Sequence, residues 1–90
     1  MNQKIWAKFL KITAKNPETL KLWFDILLTQ AEKSDIADRI QILEGLLKNK
    51  LSQRDLAAEL QVSISKITRG SNALRLLSDH DLTLLQDLLR

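Results

Sequence analysis

The sequence predicts an all-α fold of six helices in a single domain, residues 1–90. The chain contains only two glycines and one proline, fewer turn-forming residues than an all-β fold requires. Apolar residues make up 44% and charged residues 28%, a balance typical of a globular chain rather than a disordered one. Apolar positions recur at helical spacing, and no segment alternates apolar and polar residues as a half-buried strand does.

The first helix is predicted over residues 3–15, with Trp6 on an apolar stripe that we expect to face the core. Asn16 is predicted to cap the second helix, because asparagine is a favourable N-cap and proline is tolerated at the first helical position. This second helix begins at Pro17 and runs to about Leu27.

The second helix is apolar around nearly its whole circumference. Its apolar residues are Leu20, Leu22, Trp23, Phe24, Ile26 and Leu27. A helix of this kind must be enclosed on all sides, and a monomer of 90 residues has little material with which to do so. The sequence therefore predicts a homodimer.

Four further helices are predicted from their capping residues. Thr29 and Glu32 form a capping-box pattern at the start of the third helix, which extends to about Asn49. The stripe of this helix that we expect to face the core is Ile36, Ile40, Leu43 and Leu47. The predicted caps of the fourth, fifth and sixth helices are Ser52, Ser63 and Ser78.

Positive charge is concentrated in one part of the chain. Residues 48–75 carry six cationic and two anionic side chains, whereas the whole chain has a net charge of +3. Such a block indicates either a polyanionic partner or a solvated face that happens to be cationic. Charge alone does not separate these two interpretations.

Several functional classes find little support in the composition. The chain has one histidine and no cysteine, so it offers few catalytic constellations, and we expect no enzyme, metal site or cofactor. No apolar run exceeds three residues, so we expect no membrane span and no signal peptide. The absence of cysteine fits a reducing compartment, and we expect the protein in the cytoplasm.

Residues 53–74 have the pattern of a helix-turn-helix. Two short helices that cross steeply need a small residue at the crossing, which Ala57 supplies. Leu56 is expected to hold the first helix to the body of the domain, and Ile67 the second. Gln61 stands where the turn calls for a left-handed residue, at a cost of about 1 kcal/mol relative to glycine.

The second helix of this pair presents a polar face opposite its apolar one. That face contains Ser65, Lys66, Thr68 and Arg69, as expected of a helix that reads DNA. An ordinary hairpin of two helices in a bundle is the alternative interpretation of the same spacing.

The segment SQRDLAAEL, followed by ITRGSNAL, closely resembles the Trp repressor family, and the similarity continues upstream through LLTQAEKSDIADRIQILEGLL. The resemblance covers essentially the whole chain. It implies an intertwined all-α homodimer with a dimerisation core (residues 3–50 and 79–90) and a reading head (residues 52–76). It also implies that L-tryptophan binds as a corepressor and that the complex binds an operator of tryptophan biosynthesis or transport genes.

The resemblance places the tryptophan indole between the guanidinium groups of Arg39 and Arg69. Cation–π stacking of this kind contributes roughly 0.5–2 kcal/mol for each arginine. Gly70 leaves room for the indole in this interpretation. Thr29 and the carbonyl groups of Ile26 and Leu28 of a second subunit are implied to hold the ligand's carboxylate and ammonium.

Each of these residues has another interpretation from the sequence alone. Arg39 lies four residues after Asp35, so the two form a possible surface ion pair. Thr29 serves as a cap, and Gly70 is a possible helix stop. A helical wheel places Arg69 on the face predicted to contact DNA, and only the resemblance turns it toward a ligand.

One position departs from the family. Members often carry a serine whose hydroxyl lies near the ligand's ammonium, whereas this chain has Ala73. A neutral hydrogen bond worth about 0.5–1.5 kcal/mol is then missing.

For DNA, the resemblance implies that Arg54 contacts a guanine edge and Gln53 a phosphate. The residues expected to line the groove are Ile64, Ser65, Lys66 and Thr68. A helix-turn-helix regulator with a different ligand or none, and a helical interaction module that does not bind DNA, are the alternative functions.

Overall fold

The computed structural model describes all residues from Met1 to Arg90 and contains no strand. The prediction of an all-α chain with six helices is confirmed. The helices are α1 (Gln3–Lys15), α2 (Leu20–Leu27), α3 (Gln30–Lys48), α4 (Gln53–Leu60), α5 (Ile64–Arg75) and α6 (Asp79–Leu88). No helix is both long and apolar enough to cross a bilayer. The chain divides into two compact units, Met1–Lys33 and Ser34–Arg90.

The first unit contains α1, α2 and the start of α3. Trp6 stacks on Phe9 with ring centroids 5.5 Å apart, and Phe9 meets the edge of Trp23 at 6.0 Å. Trp6 is nevertheless 50% exposed. The single chain therefore does not bury it as the sequence predicted.

Asn16 occupies the predicted N-cap position before Pro17, but its side chain makes no capping hydrogen bond there. The Asn16 side-chain amide instead donates to the carbonyl of Ile12 at 3.3 Å, and so contacts the end of α1. The chain then makes a short 3₁₀ turn over Pro17–Thr19 before α2 begins. The proline ring disfavours the helical conformation at Asn16, which is consistent with the end of α1 at Lys15.

The junction between α2 and α3 is held by two sets of polar contacts. The Thr29 hydroxyl accepts from the Glu32 N–H at 3.1 Å, and the Thr29 N–H donates to the Glu32 carboxylate at 2.9 Å. This confirms the predicted capping box. Asp25 accepts hydrogen bonds from Lys21 at 2.6 Å and Lys33 at 2.8 Å, which ties the end of α2 to the start of α3.

The core of the second unit is small and is built by three helices. Its buried side chains are Ile42, Leu56, Ala57 and Ile67, with Leu46, Leu60 and Val62 packed against them. Ala57 lies where α4 packs on α5, and Ile67 has no exposed surface. The predicted burial of Leu56, Ala57 and Ile67 is confirmed.

Only half of the stripe predicted for α3 is enclosed in this chain, since Leu43 and Leu47 are half-buried. Ile36 and Ile40 are exposed, and Ile42 is the buried residue. The face is selected by the crossing of other helices, because at Gly45 an added Cβ would lie only 2.5 Å from a methyl carbon of Leu56. Tertiary contact at this glycine therefore decides which side of α3 is enclosed.

Gln61 ends α4 in the left-handed conformation, with φ of 57°. The Gln61 N–H bonds to the Ala58 carbonyl, and the Val62 N–H bonds to the Ala57 carbonyl at 3.1 Å. These two bonds make a Schellman motif, which satisfies carbonyl groups at the end of the helix. The expected left-handed turn is confirmed.

Replacing Gln61 with glycine is expected to stabilise the protein by about 0.5–1 kcal/mol, because glycine adopts this conformation without steric cost. Urea unfolding measures the change. The matched control is Ala58→Gly in the same helix, which should destabilise by about 1 kcal/mol. Destabilisation by both substitutions would contradict the proposed strain at Gln61.

The hydrogen bonds from Lys21 and then Lys33 lower the pKa of Asp25 from its ordinary 3.8 to about 2. Asp25 is therefore expected to stabilise the fold above pH 4 and to lose that contribution as the pH falls toward 2. In thermal melts, the difference between the wild type and Asp25→Asn should shrink over this interval. The control is Asp35→Asn, which removes the same charge from a carboxylate that forms no ion pair.

Candidate functional site

A cavity of about 500 Å³ lies between α3 and α5 within the second unit. It is lined by a stripe at i, i+3, i+4 and i+7 on each helix, with Leu43 beside them. The stripe on α3 is Asp35, Asp38, Arg39 and Ile42. The stripe on α5 is Lys66, Arg69, Gly70 and Ala73. Because these spacings place side chains on one helix face, the two helices present matching walls.

At Gly70, α5 lies close against side chains of α3. A Cβ added there would lie 2.8 Å from a methyl carbon of Ile42 and 3.3 Å from one of Leu46. Ile42 is 2% exposed and has little room to move. The interpretation of Gly70 as a helix stop is wrong, because α5 continues to Arg75.

Arg39 and Arg69 both line the cavity, and neither forms an ion pair. The alternative pairing of Arg39 with Asp35 is therefore not formed. Arg69 lines the cavity together with Gly70. The helical wheel had placed Arg69 only on the face predicted to contact DNA. The cavity thus offers two guanidinium groups with free donors beside the apolar side chains of Ile42 and Leu43.

The remaining predicted ligand residues lie in the first unit. Ile26 is 65% exposed in α2, and Leu28 ends that helix. The Thr29 N–H and hydroxyl bond to Glu32, and these hydrogen bonds lower the pKa of the Glu32 carboxyl. None of the three is among the residues that line the cavity.

The residues predicted to contact DNA lie within the first five residues of α4 and α5, and all are exposed. They are Gln53, Arg54, Ile64, Ser65, Lys66 and Thr68. Ser52 and Ser63 fix the first turns of these helices, since each hydroxyl accepts from the backbone N–H three residues later. The start of each helix is therefore ordered by the chain itself.

Several of these side chains already have local partners. The Gln53 amide donates to the Ser71 hydroxyl at 3.2 Å, which connects the start of α4 to the middle of α5. The Thr68 hydroxyl donates to the Ile64 carbonyl at 3.1 Å. Sequence reasoning missed Ser71. It lies 18 residues after Gln53, and no sequence pattern predicts a contact between residues that far apart.

Sequence reasoning considered Asp35 only as a partner of Arg39 and missed Asp38, and both acidic residues line the cavity. Lys66 Nζ lies 4.0 Å from Asp38 Oδ2, so an ion pair joins α5 to α3, and Asp35 lines the same wall without a partner. The signal was present in part, because Asp35 and Asp38 share the helical stripe of Arg39. Their approach to Lys66 depends on how the helices cross.

Similarity to known proteins extends over most of the chain. The family model described as the Trp repressor protein matches residues 4–89. A Trp operon repressor homolog of Chlamydia caviae is 41% identical over 76 residues, covering 82% of this chain and 75% of the relative. Homologs of the same name from Chlamydia trachomatis serovar D and Xylella fastidiosa strain M23 are 40% and 41% identical. The former covers 78% of this chain and 77% of the relative, and the latter 77% of each.

The family match spans nearly the full length, and it includes both helices that form the cavity and both helices that carry the predicted DNA contacts. The chain belongs to the Trp repressor family.

Proposed function

We propose that this protein is a dimeric transcriptional repressor that binds L-tryptophan in the cavity between α3 and α5 and then binds operator DNA through α4 and α5. Family membership supports a regulatory role rather than an enzymatic one. The observation that carries the finer proposal is the pair of guanidinium groups, Arg39 and Arg69, which face one cavity without an ion-pair partner.

The cavity has the size and chemistry that an aromatic amino acid requires. Its volume of about 500 Å³ lies within the range of roughly 300–1,000 Å³ typical of small-molecule sites. A flat indole stacks favourably on a guanidinium face, and a carboxylate accepts charge-assisted hydrogen bonds from arginine. In the proposal, Thr29 and the backbone carbonyl groups of Ile26 and Leu28 of a second copy of the chain supply the remaining polar contacts, as the resemblance implies.

The α4–α5 pair has the features of a helix-turn-helix that binds DNA. Its crossing is sealed by Ala57 and Ile67, while the first turns of both helices carry exposed polar and cationic side chains. In the proposal, Arg54 contacts a base edge, Gln53 a phosphate, and the start of α5 lines the major groove.

A dimer accounts for the apolar surface that the single chain leaves exposed. Leu22 and Ile26 in α2 are 60% and 65% exposed, and Leu88 in α6 is 71% exposed. Enclosure by a second copy removes this surface from water and is favourable. A two-fold dimer also presents two reading helices, which in helix-turn-helix dimers, Trp repressors among them, are roughly 34–36 Å apart.

The proposed coupling follows from the position of the cavity. Because one wall is α5 itself, a ligand between α3 and α5 favours particular orientations of the helix that contacts DNA. By thermodynamic reciprocity, DNA must then tighten tryptophan binding by the same factor as tryptophan tightens DNA binding.

A helix-turn-helix regulator with another ligand is the second candidate, and Ala73 favours it. This residue lines the cavity and offers no hydroxyl to a ligand's ammonium. A ligand without an ammonium group would lose nothing at this position.

Calorimetric titration of L-tryptophan tests the ligand. Arg69→Ala is expected to weaken binding at least about tenfold, because it removes both a stacking surface and a donor to the carboxylate. Arg75→Ala is the matched control, since Arg75 lies in α5 but outside this cavity. Equal affinities for all three proteins, or no heat from the wild type at millimolar tryptophan, would contradict the ligand assignment.

The wild type, with saturating tryptophan, is expected to bind a pool of random-sequence duplex DNA with an affinity that falls steeply as salt is raised. A helical interaction module shows no such binding. A response of DNA affinity to tryptophan separates the proposed repressor from a regulator with another ligand.

The wild type is expected to sediment at twice the 10.3 kDa chain mass. Leu22→Asp should lower the dimer's stability, because it places a charge on the apolar surface proposed as the interface. Ile64→Asp is the control, since this residue is also about half exposed but belongs to the proposed DNA surface. A monomeric wild type would contradict the dimer.

A further inference from the structure

One ion pair connects the proposed DNA-contacting helix to α3. It joins Lys66 Nζ to Asp38 Oδ2 at 4.0 Å, and it is the only ion pair between different helices in the second unit. Lys66 lies in the first turn of α5, where the Ser63 cap orders the backbone. The Lys66 side chain is 49% exposed and that of Asp38 is 37% exposed, so both groups remain within reach of solvent and of a partner.

A carboxylate and a phosphate present the same kind of acceptor to a lysine ammonium, namely anionic oxygens. Lys66 is placed where a helix-turn-helix meets the DNA backbone or groove, and Asp38 already provides it with such an acceptor. The pair is long and solvated, and pairs of this kind are weak. A DNA phosphate can therefore compete for the same ammonium group.

We propose that Asp38 is an intramolecular competitor of DNA, a carboxylate that holds Lys66 and so lowers the affinity for the phosphate backbone. The inference rests on the DNA binding proposed above. It makes Asp38 a positioning residue that acts on DNA through Lys66, and it assigns the residue no contact with DNA itself.

The other charged groups of the cavity do not share this role. Arg39 and Arg69 line the same walls, yet neither lies within ion-pair distance of Asp38. Asp35 lines the cavity and forms no ion pair. Asp35 is therefore a matched comparison, because its neutralisation changes the net charge equally on the same helix and releases no lysine.

The experiment measures binding of a fluorescent duplex of arbitrary sequence over a salt series, with saturating tryptophan. An arbitrary sequence is sufficient, because phosphate contacts are independent of base sequence. The proteins are the wild type, Asp38→Asn, Asp35→Asn, Lys66→Gln and the Asp38→Asn/Lys66→Gln double variant. Circular dichroism melts verify that each is folded.

Asp38→Asn is expected to raise DNA affinity about two- to fivefold for each Lys66 released at low salt. The slope of log affinity against log salt should become more negative by about 0.9 for each new phosphate contact. Asp35→Asn should leave the slope unchanged. In the Lys66→Gln background, Asp38→Asn should have no effect.

Two results would overturn the inference while leaving the proposed function intact. One is an equal effect of Asp38→Asn and Asp35→Asn, which would show only general electrostatics. The other is a gain from Asp38→Asn that persists without Lys66. If the wild type itself fails to bind DNA, the proposed function fails, and this inference fails with it.

Discussion

The close approach of α5 to α3 is possible because residue 70 has no side chain. With a Cβ at this point, α5 would collide with Ile42, which is nearly fully buried and has little room to move. The approach brings two helical stripes, one on each helix, to opposite sides of a single cavity. Arg39, Arg69 and the Lys66–Asp38 pair all owe their positions to it. A glycine that lowers helix propensity by about 1 kcal/mol therefore determines where the charged groups meet.

Four buried side chains are a small core for 90 residues, and this has a consequence for how the protein responds to binding. Segments with few buried contacts open and reorient at low free-energy cost. The α4–α5 pair is held by Leu56, Ala57 and Ile67 against Ile42, with a left-handed glutamine in its turn. In the proposed function, a ligand that contacts both α3 and α5 shifts the orientation of this pair only by the difference between its affinities for the alternative orientations.

The charged residues around the cavity lie partly in the cavity wall and partly on the exposed surface at the start of α5. Two exposed arginines without ion-pair partners line the cavity, and Lys66 lines it at the exposed start of α5. Acidic side chains on α3 balance part of this positive charge. A chain with a net charge of only +3 can in this way present cationic groups locally to an anionic partner without strong attraction to every polyanion.

The sequence by itself determined the helices, their serine caps and the left-handed turn at Gln61, because these depend on contacts within a few residues. It also indicated the family, and with it Arg39, Arg69 and Gly70 as residues of one site. Tertiary structure decided what local periodicity cannot. It selected Ile42 rather than Ile36 and Ile40 as the enclosed face of α3, placed Asp38 beside Lys66, and set Ser71 against Gln53. These pairs are distant in the chain, and only the crossing of helices at small residues brings them together.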